Sequence, residues 1–338
     1  MQSLIFNLDC DDTLFNNIVD NLSTTDIQVG LLKTEKFSDG EVSAFFKSSV
    51  RGKNIFILSS PNTSDKLMKL MLIIDAAKRA AAKEIIPIIP YMPYTRSDKK
   101  DQSRGPIGAK VIAEMIEHRG ATSVITYDLH ADQIQGFFNI PVIHIEGKNV
   151  FDKYINSIAT ADTILCGPDA GSGKRVKRVK EHLNEFYGLN LNYVMLDKTR
   201  KVANVVDEMV IIGDVTNKDV IILDDMVDTA GTLCKAAEVL MSAGAKSVRA
   251  VISHGVLSGK AHINVGGSML KELIVSDSLP DKKEQIENSF KNYSETETEL
   301  IKKAFDKIKR VTVADQIGLT MIALNKNLSY ENLQKQIK

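Results

Sequence analysis

The sequence predicts an α/β protein of two similar domains, each a mainly parallel β-sheet flanked by helices. Three observations predict it. Short apolar, β-branched runs alternate with longer helix-forming stretches from residue 54 to residue 244, the rhythm of repeated strand–helix units. Several of those runs finish in Asp or His, at the edge where open parallel sheets bind ligands. A chain of 338 residues is long enough for two ordinary cores.

NIFILSS (54–60) is a β-rich run, and SDKLMKLMLIIDAAKRAAAK (64–83) places strong helix formers behind Ser64 as the N-cap. EIIPIIPY (84–91) reads as a buried strand with prolines at its margins. GAKVIAEMIEHRG (108–120) is an amphipathic helix closed by glycine, and SVITYDLH (123–130) is the next strand. The rhythm repeats with NVFDKYINSI as helix, DTILCGPD as strand and a helix through 174–187. The strands NYVMLDK and VIILDD and the helix GTLCKAAEVLMSAG follow. A seam near residue 147 separates domains 1–147 and 148–310, with 311–338 packing back on them. The charge-dense stretch 280–310 reads as a surface helix or an inserted solvated segment and receives no chemistry.

Lys plus Arg and Asp plus Glu each number 43, so the formal charge is zero. No global field points to nucleic acid or to an anionic membrane. Cys10, Cys166 and Cys234 are scattered and form no CxxC pair, which argues against a disulfide framework. No apolar run approaches the ~18 residues that span a bilayer, and MQSLIFNLDCDDTLF lacks the basic start of a signal peptide. A cytoplasmic protein is expected.

The chemistry sits at strand ends. ITYDLH ends in Asp128 and His130, ILCGPD in Asp169, and IILDD in Asp224 and Asp225. A buried acid without a partner is costly or becomes neutral, so acids gathered at one edge predict a bound cation or ligand hydroxyls. Asp228, Thr229, Ala230, Gly231 and Thr232 come next. Small residues there admit a ligand to backbone N–H groups at a helix start, where an anion is favoured. Carboxylates beside a cradle for one phosphate describe a sugar-phosphate site. For one acid alone, an aspartate-capped helix is the plainer reading.

VIILDDMVDTAGT resembles the ribose 5-phosphate loop shared by type I phosphoribosyltransferases and ribose-phosphate pyrophosphokinases. EKFSDGE (35–41), IPYMPYTRSDKK (89–100), TYDLHADQIQGFF (126–138), GPDAGSG (167–173), LDKTR (196–200) and IIGDV (211–215) resemble the pyrophosphokinases in order and spacing. The likeness covers most of residues 30–280, and simple phosphoribosyltransferases lack the first three motifs. It implies two phosphoribosyltransferase-type domains and the reaction ATP + ribose 5-phosphate → 5-phosphoribosyl 1-diphosphate + AMP, with Mg2+. ATP binding is thereby assigned to Phe37, Asp39, Glu41, Arg96, Ser97, Asp98, Lys99 and His130, the first three reaching adenine on a neighbouring subunit. Ribose 5-phosphate falls to Asp224, Asp225, Asp228, Thr229, Ala230, Gly231 and Thr232, and metal to His130 and Asp169. Lys198 and Arg200 become catalytic residues on a mobile loop. The family also implies a homo-oligomer built from dimers, commonly a hexamer. The two competing functions are a phosphoribosyltransferase that consumes the product and a non-catalytic associated subunit.

The chain departs from the family pattern in places and is a divergent member by this reading. Ser97 and Lys99 stand where Gln and Arg are usual; Ser is too short to copy a Gln contact, and Lys lacks the planar fork. CGPDAGSGKRVKR keeps Asp169, Gly171 and Arg175 in altered surroundings, and 280–310 is longer than is typical. Near the N-terminus, Asp9, Asp11 and Thr13 form DxDxT, which resembles the nucleophile motif of haloacid-dehalogenase phosphatases. The pyrophosphokinase pattern begins by about residue 35, so coincidence is the stronger reading.

Overall fold

The computed structural model describes residues 2–199 and 208–329. They form two compact units, one holding the chain up to Glu146, Ser278–Pro280 and the chain from Thr312, the other Gly147–Asp277 and Asp281–Val311.

In the first unit β1 (Ser3–Asn7), α1 (Asp12–Asn21) and β2 (Ile27–Val29) precede a hairpin of β3 (Leu32–Lys36) and β4 (Val42–Phe46). β5 (Asn54–Leu58), α2 (Ser64–Arg79), β6 (Glu84–Ile89), α3 (Gly108–Arg119), β7 (Val124–Tyr127) and β8 (Val142–Ile145) follow. Six of the strands make one parallel sheet in the order β2-β1-β5-β6-β7-β8. β3 and β4 pair antiparallel, apart from it. Ile55 to Leu58 are buried without interruption, as expected of a strand covered on both faces. Leu70, Ile73, Ile74 and Ala77 of α2, with Met71 beside them, and Ala109, Ile112, Ala113 and Ile116 of α3, are the buried helical residues. Both sets keep the i, i+3, i+4, i+7 spacing of a helix stripe.

Three local expectations change. The N-cap of α2 is Thr63, not Ser64: its hydroxyl accepts from the Lys66 N–H at 3.3 Å. The helix stops at Arg79, just before Ala81 turns left-handed at φ 56°. β6 runs straight through Pro87, which pairs with Ile57 in the sheet interior, so this proline is within the strand, at the loss of one ladder N–H.

The second unit contains α4 (Lys148–Ile158), β9 (Thr163–Gly167), α5 (Gly173–Tyr187), β10 (Asn192–Thr199), β11 (Glu208–Ile212), β12 (Asp219–Val227) and α6 (Gly231–Ser242). β13 (Ser247–Gly255), α7 (Ala261–Gly267), β14 (Glu272–Ser276), α8 (Lys283–Glu287), α9 (Glu295–Lys307) and β15 (Ile308–Val311) complete it. Its sheet runs β11-β10-β9-β12-β13-β14-β15 and is parallel except for the β10–β11 pair. The fold is therefore α/β with mainly parallel sheets. The stretch 280–310 is not a solvated insert. Its helix α9 opens with a Ser294–Glu297 capping box and buries Ile301 and Ala304, and β15 adds a strand to the sheet.

α10 (Ala314–Asn325) returns to the first unit, where Asp315 accepts from Asn21 and Asn325 donates to Asp26. Among the described residues no helix is long and apolar enough to cross a membrane.

Candidate active site

In the second unit β9 and β12 are neighbours, so the acids at their carboxyl ends share one edge of the sheet. β12 continues as a strand past Asp224 and Asp225 to Val227. Asp225 is buried, and its N–H donates to Asp224 Oδ1 at 2.9 Å. Burial pushes the Asp224 carboxyl up to about 8, with the charge of Asp225 next and Asp169 adding to it. Asp169 is itself held: its Oδ1 accepts from the Ser172 N–H at 2.9 Å, and the Ser172 hydroxyl donates to the Asp169 carbonyl at 2.6 Å. Gly167 makes that approach possible, because a Cβ there would lie 2.6 Å from Ser172 Oγ and 2.5 Å from Met195 Cε.

The turn after β12 carries Asp228 to Thr232 into α6. Ala230 is left-handed at φ 61° and stands at the N-cap of α6 without a side-chain cap, so the helix begins with its N–H groups uncovered by a side chain. Thr229, Gly231 and Thr232 are exposed, and a Cβ on Gly231 would meet nothing within 4 Å. Open space over the positive end of a helix is the geometry that receives an anion. Two residues that local sequence patterns missed support this turn. The Ser258 hydroxyl donates to Asp228, and Asn264 Nδ2 donates to the Thr229 carbonyl at 2.8 Å. Both lie some thirty positions away in the chain, beyond the reach of any local pattern.

In the first unit the predicted ATP residues fall in three places. Phe37, Asp39 and Glu41 form the tip of the β3–β4 hairpin, where the Phe37 N–H donates to the Glu41 carbonyl at 2.8 Å and Asp39 accepts from the Glu41 N–H at 3.0 Å. Phe37 is 51% exposed there. Arg96, Ser97, Asp98 and Lys99 lie in the loop between β6 and α3. Ser97 is committed to that loop's shape: its hydroxyl accepts from the Gly108 N–H at 3.0 Å and its carbonyl from the Ala109 N–H at 3.1 Å, at the start of α3. Asp98 accepts from Gln133 at 3.4 Å, while Arg96 and Lys99 are exposed cations. His130 is exposed just beyond β7, after Asp128, a left-handed residue at φ 40°. His144, which the sequence reading passed over, accepts the Leu129 N–H on Nε2 at 2.9 Å and so helps fix this segment.

Lys198 stands in β10, its backbone paired with Met209, inside the strand NYVMLDK; Arg200, assigned with it to a mobile loop, lies outside the described residues. His130 belongs to the first unit and Asp169 to the second. Among the described residues no three His, Cys, Asp or Glu side chains form a cage for a metal ion. A Mg2+ that takes one or two carboxylates together with substrate phosphates needs no such cage, and the crowded carboxylates around Asp224 suit a divalent ion chemically.

The DxDxT stretch has structural work. Asp9 accepts from the Ser59 hydroxyl at 3.0 Å and the Ser60 N–H at 2.8 Å, and burial holds its carboxyl above the ordinary range. Asp11 caps α1 by accepting from the Thr13 N–H.

Comparison with known proteins matches residues 3–120 to the N-terminal domain of ribose phosphate pyrophosphokinase and residues 192–313 to the phosphoribosyl synthetase-associated domain. A ribose-phosphate pyrophosphokinase of Porphyromonas gingivalis is 45% identical over 254 residues, 75% of this chain and 79% of that protein. One from Helicobacter hepaticus is 46% identical over 270 residues, 79% of this chain and 85% of the relative. The crystal structure of phosphoribosylpyrophosphate synthetase from Mycobacterium smegmatis superposes with a TM-score of 0.82 at 30% identity, covering 97% of this chain and 100% of the other.

Proposed function

The chain belongs to the ribose-phosphate pyrophosphokinase family and is an enzyme; we propose that it transfers the β,γ-diphosphoryl group of ATP to the anomeric hydroxyl of ribose 5-phosphate, giving 5-phosphoribosyl 1-diphosphate and AMP. The observation that carries the site assignment is the uncapped start of α6, open over Gly231 and set directly behind two acids.

The anomeric oxygen attacks the β-phosphorus, the bond from that phosphorus to the α–β bridging oxygen breaks, and AMP leaves with that oxygen. Such a transfer asks the protein for positioning and charge rather than covalent chemistry. The α6 N-terminus, with the Thr229 and Thr232 hydroxyls, receives the 5-phosphate, and Asp224 and Asp225 take the ribose hydroxyls. Arg96 and Lys99 supply charge to the ATP phosphates, Asp98 orders their loop, and Ser97 acts by anchoring that loop to α3. Phe37, Asp39 and Glu41 reach adenine on a neighbouring subunit, a role suited to an exposed hairpin tip and requiring a homo-oligomer. His130 in the first unit and Asp169 in the second would each serve as metal-linked residues, and Mg2+, when bound, offsets the charge of the triphosphate. Lys198 and Arg200 donate to the oxygens that gain charge in the transition state. Three free thiols, Cys10, Cys166 and Cys234, suit a reducing cytoplasm.

³¹P NMR of the purified protein with Mg·ATP and ribose 5-phosphate tests the reaction. AMP and a new anomeric diphosphate are expected; ADP would mean γ-phosphoryl transfer and end the proposal. Lys198→Ala should lower kcat at least on the order of 10²-fold, the scale of one lost transition-state donor, and turnover near wild type would remove Lys198 from the mechanism.

A further inference from the structure

The turn that receives the 5-phosphate is held in an unfavourable backbone conformation by a second loop that is itself strained. Ala230 is left-handed at φ 61°, and in the loop after β13 Leu257 is left-handed at φ 45°. Non-glycine residues keep such angles only where the surroundings over-determine them. The two loops are laced together. The Leu257 N–H donates to the Val227 carbonyl at 3.2 Å, the Ser258 N–H to the Asp228 carbonyl at 3.1 Å, and the Ser258 hydroxyl to the Asp228 carboxylate. Asn264 adds its bond to the Thr229 carbonyl, immediately before Ala230.

What fixes Leu257 comes from the charge-dense stretch to which the sequence assigned no chemistry. Lys282, half-buried, donates from Nζ to the Val256 carbonyl at 2.6 Å and reaches the Leu257 carbonyl at 3.5 Å. An ammonium offers three donors and no acceptor, so it can clamp successive carbonyls that point together. Lys307, at the far end of the same stretch, closes α7 in the same manner, donating to the carbonyls of Val265, Gly266 and Ser268. The 281–311 stretch thus grips both ends of the segment that follows β13, and that segment grips the phosphate turn.

We infer that Lys282 is a positioning residue for ribose 5-phosphate: by clamping the Val256 and Leu257 carbonyls it sets the loop whose Leu257 and Ser258 hold Asp228–Thr232 open to the 5-phosphate. The inference rests on the ribose 5-phosphate reading of that turn. Lys282 acts through the backbone of that loop and through the attraction between its ammonium and the Asp228 carboxylate.

The full-length chain carrying Lys282→Met, Lys282→Arg, Ser258→Ala or, as a control on the exposed side of α9, Lys302→Met is assayed for AMP formation, varying each substrate in turn. Lys282→Met and Ser258→Ala should raise KM for ribose 5-phosphate about tenfold or more while KM for ATP stays within about twofold, because only one substrate's seat has moved. Lys282→Arg should restore most of the loss, and Lys302→Met should match wild type. An unchanged KM for ribose 5-phosphate in Lys282→Met overturns the inference, as does an equal change in both KM values with a lowered melting temperature, which marks a structural role alone. If Lys282→Met does not accumulate in folded form, an unchanged KM in Ser258→Ala overturns it. A wild-type protein that makes no AMP overturns the ribose 5-phosphate reading itself, which is a separate result from normal turnover with insensitive variants.

Discussion

Asp224, proposed to take a ribose hydroxyl, carries a burial cost in the free protein. In the unfolded chain its carboxyl titrates near the ordinary 3.8, whereas in the native state burial and its acidic neighbours push it up to about 8. Between those values the native state binds more protons than the unfolded state, so this group makes stability fall as pH rises through the window. Below pH 3.8 both states are protonated and the penalty is absent. Asp224→Asn should therefore raise the melting temperature of the substrate-free protein at pH 8 by at least about 2 °C, roughly the effect of 1 kcal/mol in a chain of this size. At pH 3.5 the two proteins should melt together, and AMP formation should be lost. Equal melting temperatures at pH 8 would show that the carboxylate is already compensated in the native state. The two acids were legible in the sequence because they break an apolar run; the burial that chiefly drives the shift was not, since it is set by packing, with Asp225 next and Asp169 on the neighbouring β9 adding least.

The helices and strands divide in the same way between what spacing announces and what packing decides. The stripes of α2 and α3 could be read from their period, but Pro87 inside β6 could not, because it pairs with β5 alone while the pairing of β6 with β7 begins only at Ile88. The least legible contact is the crossing of α7 and α9. A Cβ at Gly266 would stand 1.9 Å from the Leu300 carbonyl oxygen, which is backbone and cannot swing aside. Gly266→Ala should destabilise the second unit by about 3 kcal/mol, the upper end of the usual overpacking range, read as a shifted midpoint in urea unfolding. A midpoint unchanged from wild type would mean that α9 slides to make room. Nothing in NVGGSML distinguishes this glycine from Gly267, whose Cβ would meet only a leucine methyl at 3.8 Å.

At the scale of the molecule, the first unit is assembled from distant parts of the chain. α10 buries Ala314, Ile317, Gly318, Thr320, Met321 and Ala323 there, and the Ser3 hydroxyl bonds Asn325 at 2.5 Å across nearly the whole sequence. A chain ending at residue 311 should leave α1 without its partner and become sensitive to protease near the N-terminus, detectable by limited proteolysis with mass spectrometry. Cleavage at wild-type rates would show that the N-terminal sheet is stable without the returning helix. The sequence reading assigned 311–338 to packing back on the domains; which residues meet α10 is a matter of contact between the two ends of the chain.

By itself the sequence determined the α/β rhythm, the acids at strand ends, the small-residue turn before α6 and, through several motifs in fixed order, the family. Each is a pattern of near neighbours, governed by helix and strand periods and by the chemistry of a few adjacent side chains. Only the tertiary structure decided that the acidic and basic stretch 280–310 is built into the second unit, and that Ser258, Asn264 and Lys282 support the Asp228–Thr232 turn. Those facts join residues about 25 to 35 positions apart in the chain, and such pairings exist only after the sheets and helices have packed.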